Sequence, residues 1–158
     1  MGDLPRSAQA VVDAAGELGL DISVIEYPDG TRTAVDAADA VGCEVGQIVK
    51  SLIFSIDGEL VLALTSGAHK VDTDALVLAA GGSSCGRADA DDVRAATGFA
   101  IGGVPPFGHT THVRAFFDPA LLGYEVVWAA AGSPRHVFSV DPSALLEKTG
   151  AAPAAFTS

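Results

Sequence analysis

The sequence has 158 residues, with 9 Lys or Arg against 20 Asp or Glu, so its formal net charge is −11 with neutral histidines. We expect residues 1–158 to form one domain, because two cores in so short a chain would each bury too little surface. Hydrophobic residues make up 49% of the chain and charged residues 18%, a globular composition that excludes disorder. The apolar runs are far shorter than the roughly 20 residues that span a bilayer, and the first residues lack a signal peptide's basic region. We therefore expect a cytoplasmic protein with no membrane partner.

The acidic residues are unevenly distributed along the chain. A net charge of −11 argues against bulk, sequence-blind binding of nucleic acid, DNA included, because such binding needs many Lys and Arg contacts to phosphates. Four stretches nevertheless contain no Asp or Glu and hold all four histidines: 45–56, 60–71, 93–117 and 126–140. Our hypothesis is that these stretches converge and present a neutral-to-positive cleft to an anionic ligand.

In the first third of the chain, the signals predict two helices and one strand. Apolar residues at helical spacing from Ser7 predict a helix that Gly19 stops. A strand at 22–24 then leads into a turn at 27–30. A second helix begins near Thr33, because Thr33 and the Asp three residues later resemble a capping box.

The strongest local signal is a hairpin. A short helical turn at 45–48 precedes β-rich runs at 49–56 and 60–65, which Asp57-Gly58 separates. The same kinds of signal predict further helices over 72–80, 89–96 and 143–148 and strands over 113–117, 125–130 and 136–140. The tail at 151–158 is expected to fray. Interspersed helices and strands joined by tight turns predict a mixed or largely antiparallel α+β domain.

Three motifs give little support for a catalytic or metal site. The segment 82–86 matches the letters G-x-S-x-G, but it follows a predicted helix, whereas the nucleophile elbow puts its serine between a strand and a helix. His109 and His112 have no acid nearby, and Cys43 and Cys85 fit no zinc spacing, so we expect reduced thiols and no metal. No phosphate-binding glycine motif occurs, and we expect no cofactor.

Lys50 and the segment 102–108 are more informative. Lys50 begins an otherwise apolar strand, where its ammonium either simply reaches solvent or lies at the mouth of a pocket. The segment G-G-V-P-P-F-G at 102–108 cannot be a helix or a central strand. It is either a rigid surface connection or a loop whose backbone N–H and C=O groups bind a small ligand. The residues alone thus indicate a ligand pocket of unknown class.

The order of several short motifs carries a family resemblance. These motifs are T-A-V-D-A-A from Thr33, Q-I-V-K-S from Gln47, Ser66-Gly67, G-G-V-P-P-F-G from Gly102 and Ala131-Gly132. Together they resemble the YbaK/ProX (YbaK/EbsC) family, most strongly over 30–148. Members of that family are free-standing relatives of the editing domain of bacterial prolyl-tRNA synthetase, and they hydrolyse mischarged aminoacyl-tRNA.

The resemblance implies a fold and a set of site residues. The fold is a single α+β domain with a mixed, mostly antiparallel, curved sheet of six or seven strands surrounded by helices. Lys50 resembles the catalytic lysine that lies beside the aminoacyl ester and the terminal adenosine. The implied substrate-binding residues are Ser51, Gly102, Gly103, Val104, Pro105, Pro106, Gly108 and Gly132. His136 follows in a segment that varies within the family, so its participation stays open.

The resemblance also implies a function. We expect a trans-editing deacylase that hydrolyses the ester of mischarged tRNA, with Cys-tRNA(Pro) or Ala-tRNA(Pro) as leading substrates. The expected partner is the acceptor end of tRNA, and the resemblance leaves open whether a prolyl-tRNA synthetase is a second partner. The alternative is a non-catalytic module that binds an aminoacyl-adenosine-like ligand or a synthetase. An intact Lys50 favours the first, and the shortage of basic residues favours the second.

Overall fold

The computed structural model describes residues 4–27, 30–31 and 33–158, so the predicted turn at 27–30 lies partly outside the described residues. The α-helices in these ranges are α1 (Arg6–Leu18), α2 (Ala34–Val41), α3 (Thr73–Ala80), α4 (Ala90–Thr97) and α5 (Pro142–Thr149). The strands are β1 (Ser23–Glu26), β2 (Ile48–Ile56), β3 (Glu59–Ser66), β4 (Cys85–Arg87), β5 (Arg114–Phe117), β6 (Val127–Ser133), β7 (His136–Val140) and β8 (Ala152–Pro153). Short 3₁₀ helices occupy Val45–Gln47 and Pro119–Gly123.

The strands form one mixed sheet in the order β1-β7-β6-β2-β3-β5-β8, with β4 paired to β2. Pairs β1–β7, β6–β7, β2–β3 and β2–β4 are antiparallel, whereas β2–β6, β3–β5 and β5–β8 are parallel. The prediction of a mixed, mostly antiparallel α+β fold is confirmed. The sheet of the described residues has 8 strands, more than the six or seven expected, because β4 and β8 are too short to leave a periodic pattern.

One edge of β2 is shared by two partners, with a gap between them. The parallel ladder with β6 covers Ile48 and Val49, and the antiparallel ladder with β4 begins at Phe54. Residues 50–53 therefore have no ladder partner on this edge. The Ile48 carbonyl accepts from Gly67 N on the β3 side, so the alternation of a strand turns the N–H and C=O of Ser51 toward the gap.

Helices cover both faces of the sheet. On one face, Val11 of α1, Val93 of α4 and Leu145 of α5 pack with Val49 of β2 in the main core. On the other face, Leu76 of α3 packs in a second cluster with Ile56 of β2, Val61, Phe116 and Phe156. A third cluster joins α2 to Ile48 and to the partly buried Trp128. Within the described ranges, no helix is both long and apolar enough to cross a bilayer.

Local capping signals in the sequence predict the helix ends well. The Thr33 side chain accepts a hydrogen bond from Asp36 N at the start of α2, and Gly19 and Gly42 adopt the left-handed conformation that ends α1 and α2.

Two predictions for short segments are wrong. The tail does not fray, because Phe156 is fully buried and β8 extends the sheet beside β5. Burial of one aromatic side chain offsets the entropy of ordering these small residues. No strand was predicted near residue 85, but β4 begins at Cys85 and pairs with the end of β2.

Candidate functional site

A cavity of about 810 Å³ surrounds the gap in the sheet. Its walls come from both faces: Val35 of α2 and Trp128 lie on one side, and Val93 of α4 and Val104 lie on the other. The unpaired part of β2 runs between these walls, because residues 48–54 all line the cavity. A ligand in this cavity would therefore contact the open strand edge itself.

The four acid-free stretches converge at this cavity, so the predicted convergence is confirmed. Each stretch contributes to the wall, and the contributing residues include 48–54, Gly67, Ile101, Gly102, Val104 and 128–130. Of the described residues that line the cavity, none is Asp or Glu, and Lys50 and Arg87 carry its charge. A chain with a net charge of −11 thus contains a cavity whose described charged lining residues are both cationic.

Lys50 is held at the cavity wall by a backbone carbonyl. Its Nζ donates a hydrogen bond of 2.6 Å to the His69 carbonyl oxygen. Burial lowers the pKa of the Lys50 ammonium, nearby Lys70 lowers it further, and the carboxylate of Asp118 opposes both effects. Of the two interpretations of Lys50, the structure favours a cation at a pocket over a side chain that simply reaches solvent.

Asp118 organises the loop that supplies this carbonyl. Its side chain is 2% exposed, and Oδ2 accepts from Ser66 N at 3.1 Å and lies 2.8 Å from His69 Nδ1. Because an ionised carboxylate only accepts, Nδ1 carries the hydrogen. Oδ1 accepts from Ala120 N at 3.0 Å. The Ser66 hydroxyl also donates to Gly46 O at 2.8 Å, so the loop 66–70 is tied at several points.

Ser51 supplies a buried polar atom at the open edge. Among the described residues, its hydroxyl oxygen is the one buried side-chain oxygen or nitrogen with no hydrogen-bond partner. Ser51 also lines the cavity, and its backbone groups face the gap. A buried hydroxyl without a partner carries a free-energy cost of about 1–3 kcal/mol, which a polar ligand group would relieve.

The Gly102–Gly108 loop contributes to the cavity through only some of its predicted residues. Gly102 and Val104 line it, whereas Gly103, Pro105 and Pro106 are buried beside it. A Cβ on Gly103 would lie 2.7 Å from the Gly132 carbonyl oxygen, so the two backbones are in direct contact. His109 Nε2 bonds to Pro105 O at 2.7 Å and holds the turn of the loop.

Gly132 and Gly108 lie behind the cavity and pack against α1. Gly132 has φ +92°, and a Cβ there would lie 2.5 Å from Ser7 O. Gly108 has φ +79°, and a Cβ there would lie 2.8 Å from the Ala14 Cβ. These glycines allow α1, the β6–β7 turn and the Gly102–Gly108 loop to approach closely, so they shape the cavity without lining it.

His136 and Ser84 are both engaged elsewhere. His136 is buried, with Nδ1 2.6 Å from Ser133 Oγ and Nε2 3.1 Å from Glu26 Oε2, so both ring nitrogens already have protein partners. Ser84 Oγ bonds to Asp57 Oδ1 at 3.2 Å beside the hairpin turn, and it does not line the cavity. Within the described part of the chain, no three His, Cys, Asp or Glu residues cluster as a metal site.

Sequence reasoning missed four residues of this site. Asp118 and His69 carry the network behind Lys50, while Arg87 and Trp128 line the cavity. Asp118 did carry a local signal, because an Asp before Pro119 is typical of a helix start. Nothing in the local sequence indicates its contacts with a loop about fifty residues away.

The comparisons with known proteins define the class of this fold and site. The model of the aminoacyl-tRNA editing domain family matches residues 28–148. The chain belongs to this family of YbaK-like editing domains, as the resemblance implied.

Individual relatives agree with that assignment. A crystal structure of a proposed trans-editing enzyme for prolyl tRNA synthetase is 46% identical, covers 99% of both chains and superimposes with a TM-score of 0.93. YwhH of Bacillus subtilis (strain 168) is 29% identical over 125 residues, which are 78% of this chain and 79% of YwhH. The proline–tRNA ligase of Maridesulfovibrio salexigens is 32% identical over 104 residues, which are 66% of this chain but 18% of the ligase. The chain thus matches about a fifth of that ligase.

Proposed function

We propose that this protein is a trans-editing deacylase that hydrolyses the ester of a mischarged tRNA, with Cys-tRNA(Pro) or Ala-tRNA(Pro) as leading substrates. The observation that carries the proposal is the Lys50 ammonium at the wall of a cavity that is built on an open strand edge and whose described lining contains no Asp or Glu. The family supports it, because the matched domain is an editing domain for aminoacyl-tRNA.

The chemistry fits the residues present. An aminoacyl ester on ribose is already activated, so hydrolysis requires a positioned ester, a placed water or substrate hydroxyl or thiol, and stabilisation of the developing oxyanion. In our proposal, the Lys50 ammonium stabilises that negative charge. The N–H of the adjacent Ser51 faces the open edge, and its unpartnered hydroxyl lies on the opposite face of the strand from Lys50. No protein nucleophile is needed, which agrees with the engagement of Ser84 and His136 elsewhere.

The Gly102–Gly108 loop bounds the aminoacyl pocket in this proposal. Gly102 and Val104 contact the substrate, because they line the cavity. Gly103, Pro105, Pro106, Gly108 and Gly132 act indirectly, by fixing the shape of the loop.

Selection among small amino acids rests on pocket size and polarity. One methylene in an apolar pocket changes transition-state binding by about 1–3 kcal/mol. Ala and Cys differ by a single thiol, so only a direct measurement decides which of the two leading substrates is preferred.

The charge of the protein predicts a weak, salt-sensitive encounter with tRNA. A net charge of −11 repels phosphates at long range, while the cations of the cavity attract the acceptor end at short range. We propose that a prolyl-tRNA synthetase helps to deliver the substrate, as the relationship to proline–tRNA ligases suggests.

The decisive experiment measures the deacylation of Cys-, Ala- and Ser-tRNA(Pro) by the wild type and by Lys50→Ala, at low and moderate salt. We expect one substrate to be hydrolysed well above the buffer rate and that activity to be lost in Lys50→Ala. Absence of activity on all three would contradict the proposal. Binding of a non-hydrolysable aminoacyl-adenosine without hydrolysis would instead support the non-catalytic module.

A further inference from the structure

The position of the Lys50 ammonium depends on a loop outside its own strand. Its hydrogen bond goes to the carbonyl oxygen of His69. The backbone around His69 is tied by Ser66, whose N–H donates to Asp118 and whose hydroxyl donates to Gly46 O. The His69 ring bonds to the same Asp118 carboxylate at 2.8 Å. One buried carboxylate therefore holds the loop at Ser66 and at His69, the residue whose carbonyl accepts from Lys50.

We propose that Asp118 is a positioning residue that fixes the Ser66–Lys70 loop and, through the His69 carbonyl and its own negative charge, holds the Lys50 side chain in place as a cation. This inference rests on the proposed function for the catalytic role of Lys50. The test measures the pKa of Lys50 directly, so the role of Asp118 and the proposed function can fail separately.

A second Asp-Pro cap in the same chain shows what Asp118 does beyond capping. Asp141 precedes Pro142, is exposed, and accepts one hydrogen bond of 2.9 Å from Ser143 N at the start of α5. Asp118 precedes Pro119 and makes the equivalent bond to Ala120 N. It is buried, however, and adds the contacts to Ser66 and His69. Burial of a carboxylate is costly, and a helix cap does not require it.

The charges around Lys50 are mostly positive. Among the described residues, the charged or titratable groups near it are Asp118 and His69, which bond to each other, Lys70 on the same loop and Arg87 in the wall of the same cavity. Burial and Lys70 lower the pKa of Lys50, and Asp118 raises it. Removal of the Asp118 charge therefore lowers the pKa of Lys50 further, because the opposing attraction is lost.

The small number of lysines makes the pKa of Lys50 measurable. The chain contains three lysines, Lys50, Lys70 and Lys148, so NMR spectra of the lysine side chains hold three sets of signals, which Lys→Arg variants assign. We would titrate the wild type, Asp118→Asn and the matched control Asp141→Asn, without tRNA. We expect the Lys50 midpoint to fall in Asp118→Asn while Lys148 stays unchanged. Asp141→Asn leaves the Lys50 midpoint at its wild-type value.

The pH dependence of deacylation distinguishes an electrostatic role of Asp118 from a purely structural one. In Asp118→Asn, deacylation declines at a lower pH than in the wild type, and lowering the pH restores part of it by protonating Lys50. A loss of equal size at every pH would show that the charge has no role and would overturn that part of the inference. An unchanged Lys50 midpoint in Asp118→Asn, or the same shift in Asp141→Asn, would overturn it as a whole.

If Asp118→Asn does not fold, a second variant tests the role of Asp118. Asp118→Ser keeps a helix-capping oxygen without the charge, and the same fall in the Lys50 midpoint is expected. In the wild type, the Lys50 ammonium should exchange its hydrogens more slowly than Lys70 and Lys148, both of which are exposed. Equal exchange at all three would contradict the bond to His69. If no aminoacyl-tRNA is hydrolysed, the proposed function fails, and the titrations still decide the role of Asp118.

Discussion

Two loops lie beside the cavity, and they are fixed in different ways. The Gly102–Gly108 loop is held by its own composition, through buried prolines and through direct contact between the backbones of Gly103 and Gly132. The Ser66–Lys70 loop is held by one carboxylate, Asp118, which is remote in sequence. The first fixes the shape of the pocket, and the second fixes the position and charge of its lysine.

The comparison explains why substitutions in the two loops should have different signatures. A change in a glycine contact moves backbone, so it lowers the free energy of unfolding and alters the pocket at every pH. A change in the carboxylate network acts on the protonation of Lys50, so it appears in the pH dependence.

The largest expected effect is on Lys50 itself. Lys50→Ala should reduce the single-turnover rate of deacylation by about 10²–10³, the cost of losing one oxyanion donor. Lys148→Ala is the matched control, because Lys148 is exposed on α5 and does not line the cavity. Equal rates for the two variants would show that Lys50 does not act on the ester.

Gly132→Ala should destabilise the fold strongly. The residue has φ +92°, and a Cβ would lie 2.5 Å from Ser7 O, so strain of about 1–3 kcal/mol is expected before the clash is added. Gly16→Ala is the control, since Gly16 lies within α1 and nothing lies within 4 Å of a Cβ placed on it. That change should stabilise by about 0.5–1 kcal/mol. Denaturant unfolding measures both, and losses of similar size would refute the close contact at Gly132.

The pH dependence of activity should follow the protonation of Lys50. Burial lowers the pKa of this ammonium below that of free lysine, so its positive charge is lost at a lower pH than usual. The deacylation rate, corrected for spontaneous hydrolysis, should therefore fall as the pH rises through that midpoint. A rate that stays constant up to the titration range of ordinary lysines would argue against an electrostatic role for Lys50.

The smallest expected effect belongs to Ser51. Ser51→Ala removes a buried hydroxyl that has no partner among the described residues, so stability should be unchanged or slightly higher. Activity should fall by about tenfold, as for one lost neutral hydrogen bond. Ser55→Ala, on the same strand but paired with β4, should leave activity unchanged. A clear loss of stability in Ser51→Ala would indicate a structural role instead.

The fold was largely predictable because its signals are local. Asp57-Gly58 predicted the hairpin, Thr33 predicted a helix start, and Gly19 predicted a helix end, since each acts through neighbouring backbone. The ordered structure of the short C-terminal tail was not predictable. The tail is held by contacts with residues distant in sequence. Residues 152–153 pair with β5, and Phe156 is buried in the second core cluster.

The site was predictable only in part, for the same physical reason. Lys50 and the Gly102–Gly108 loop are visible in the sequence because their residue types are unusual in those positions. The gap between β6 and β4 is a property of strand pairing across the whole sheet, and the contacts of Asp118 join distant segments. No local pattern encodes either feature.

The location of the substrate on the open edge of β2 is the central claim, and one binding experiment tests it most directly. A non-hydrolysable aminoacyl-adenosine, with an amide in place of the ester, would be titrated into the labelled protein while backbone amide signals are followed by NMR. We predict the largest shifts at Ser51 and Ile53, whose N–H groups face the gap, and at Gly102 across the cavity. Shifts confined to the neighbouring pocket that Leu60 and Asp92 line would contradict the account.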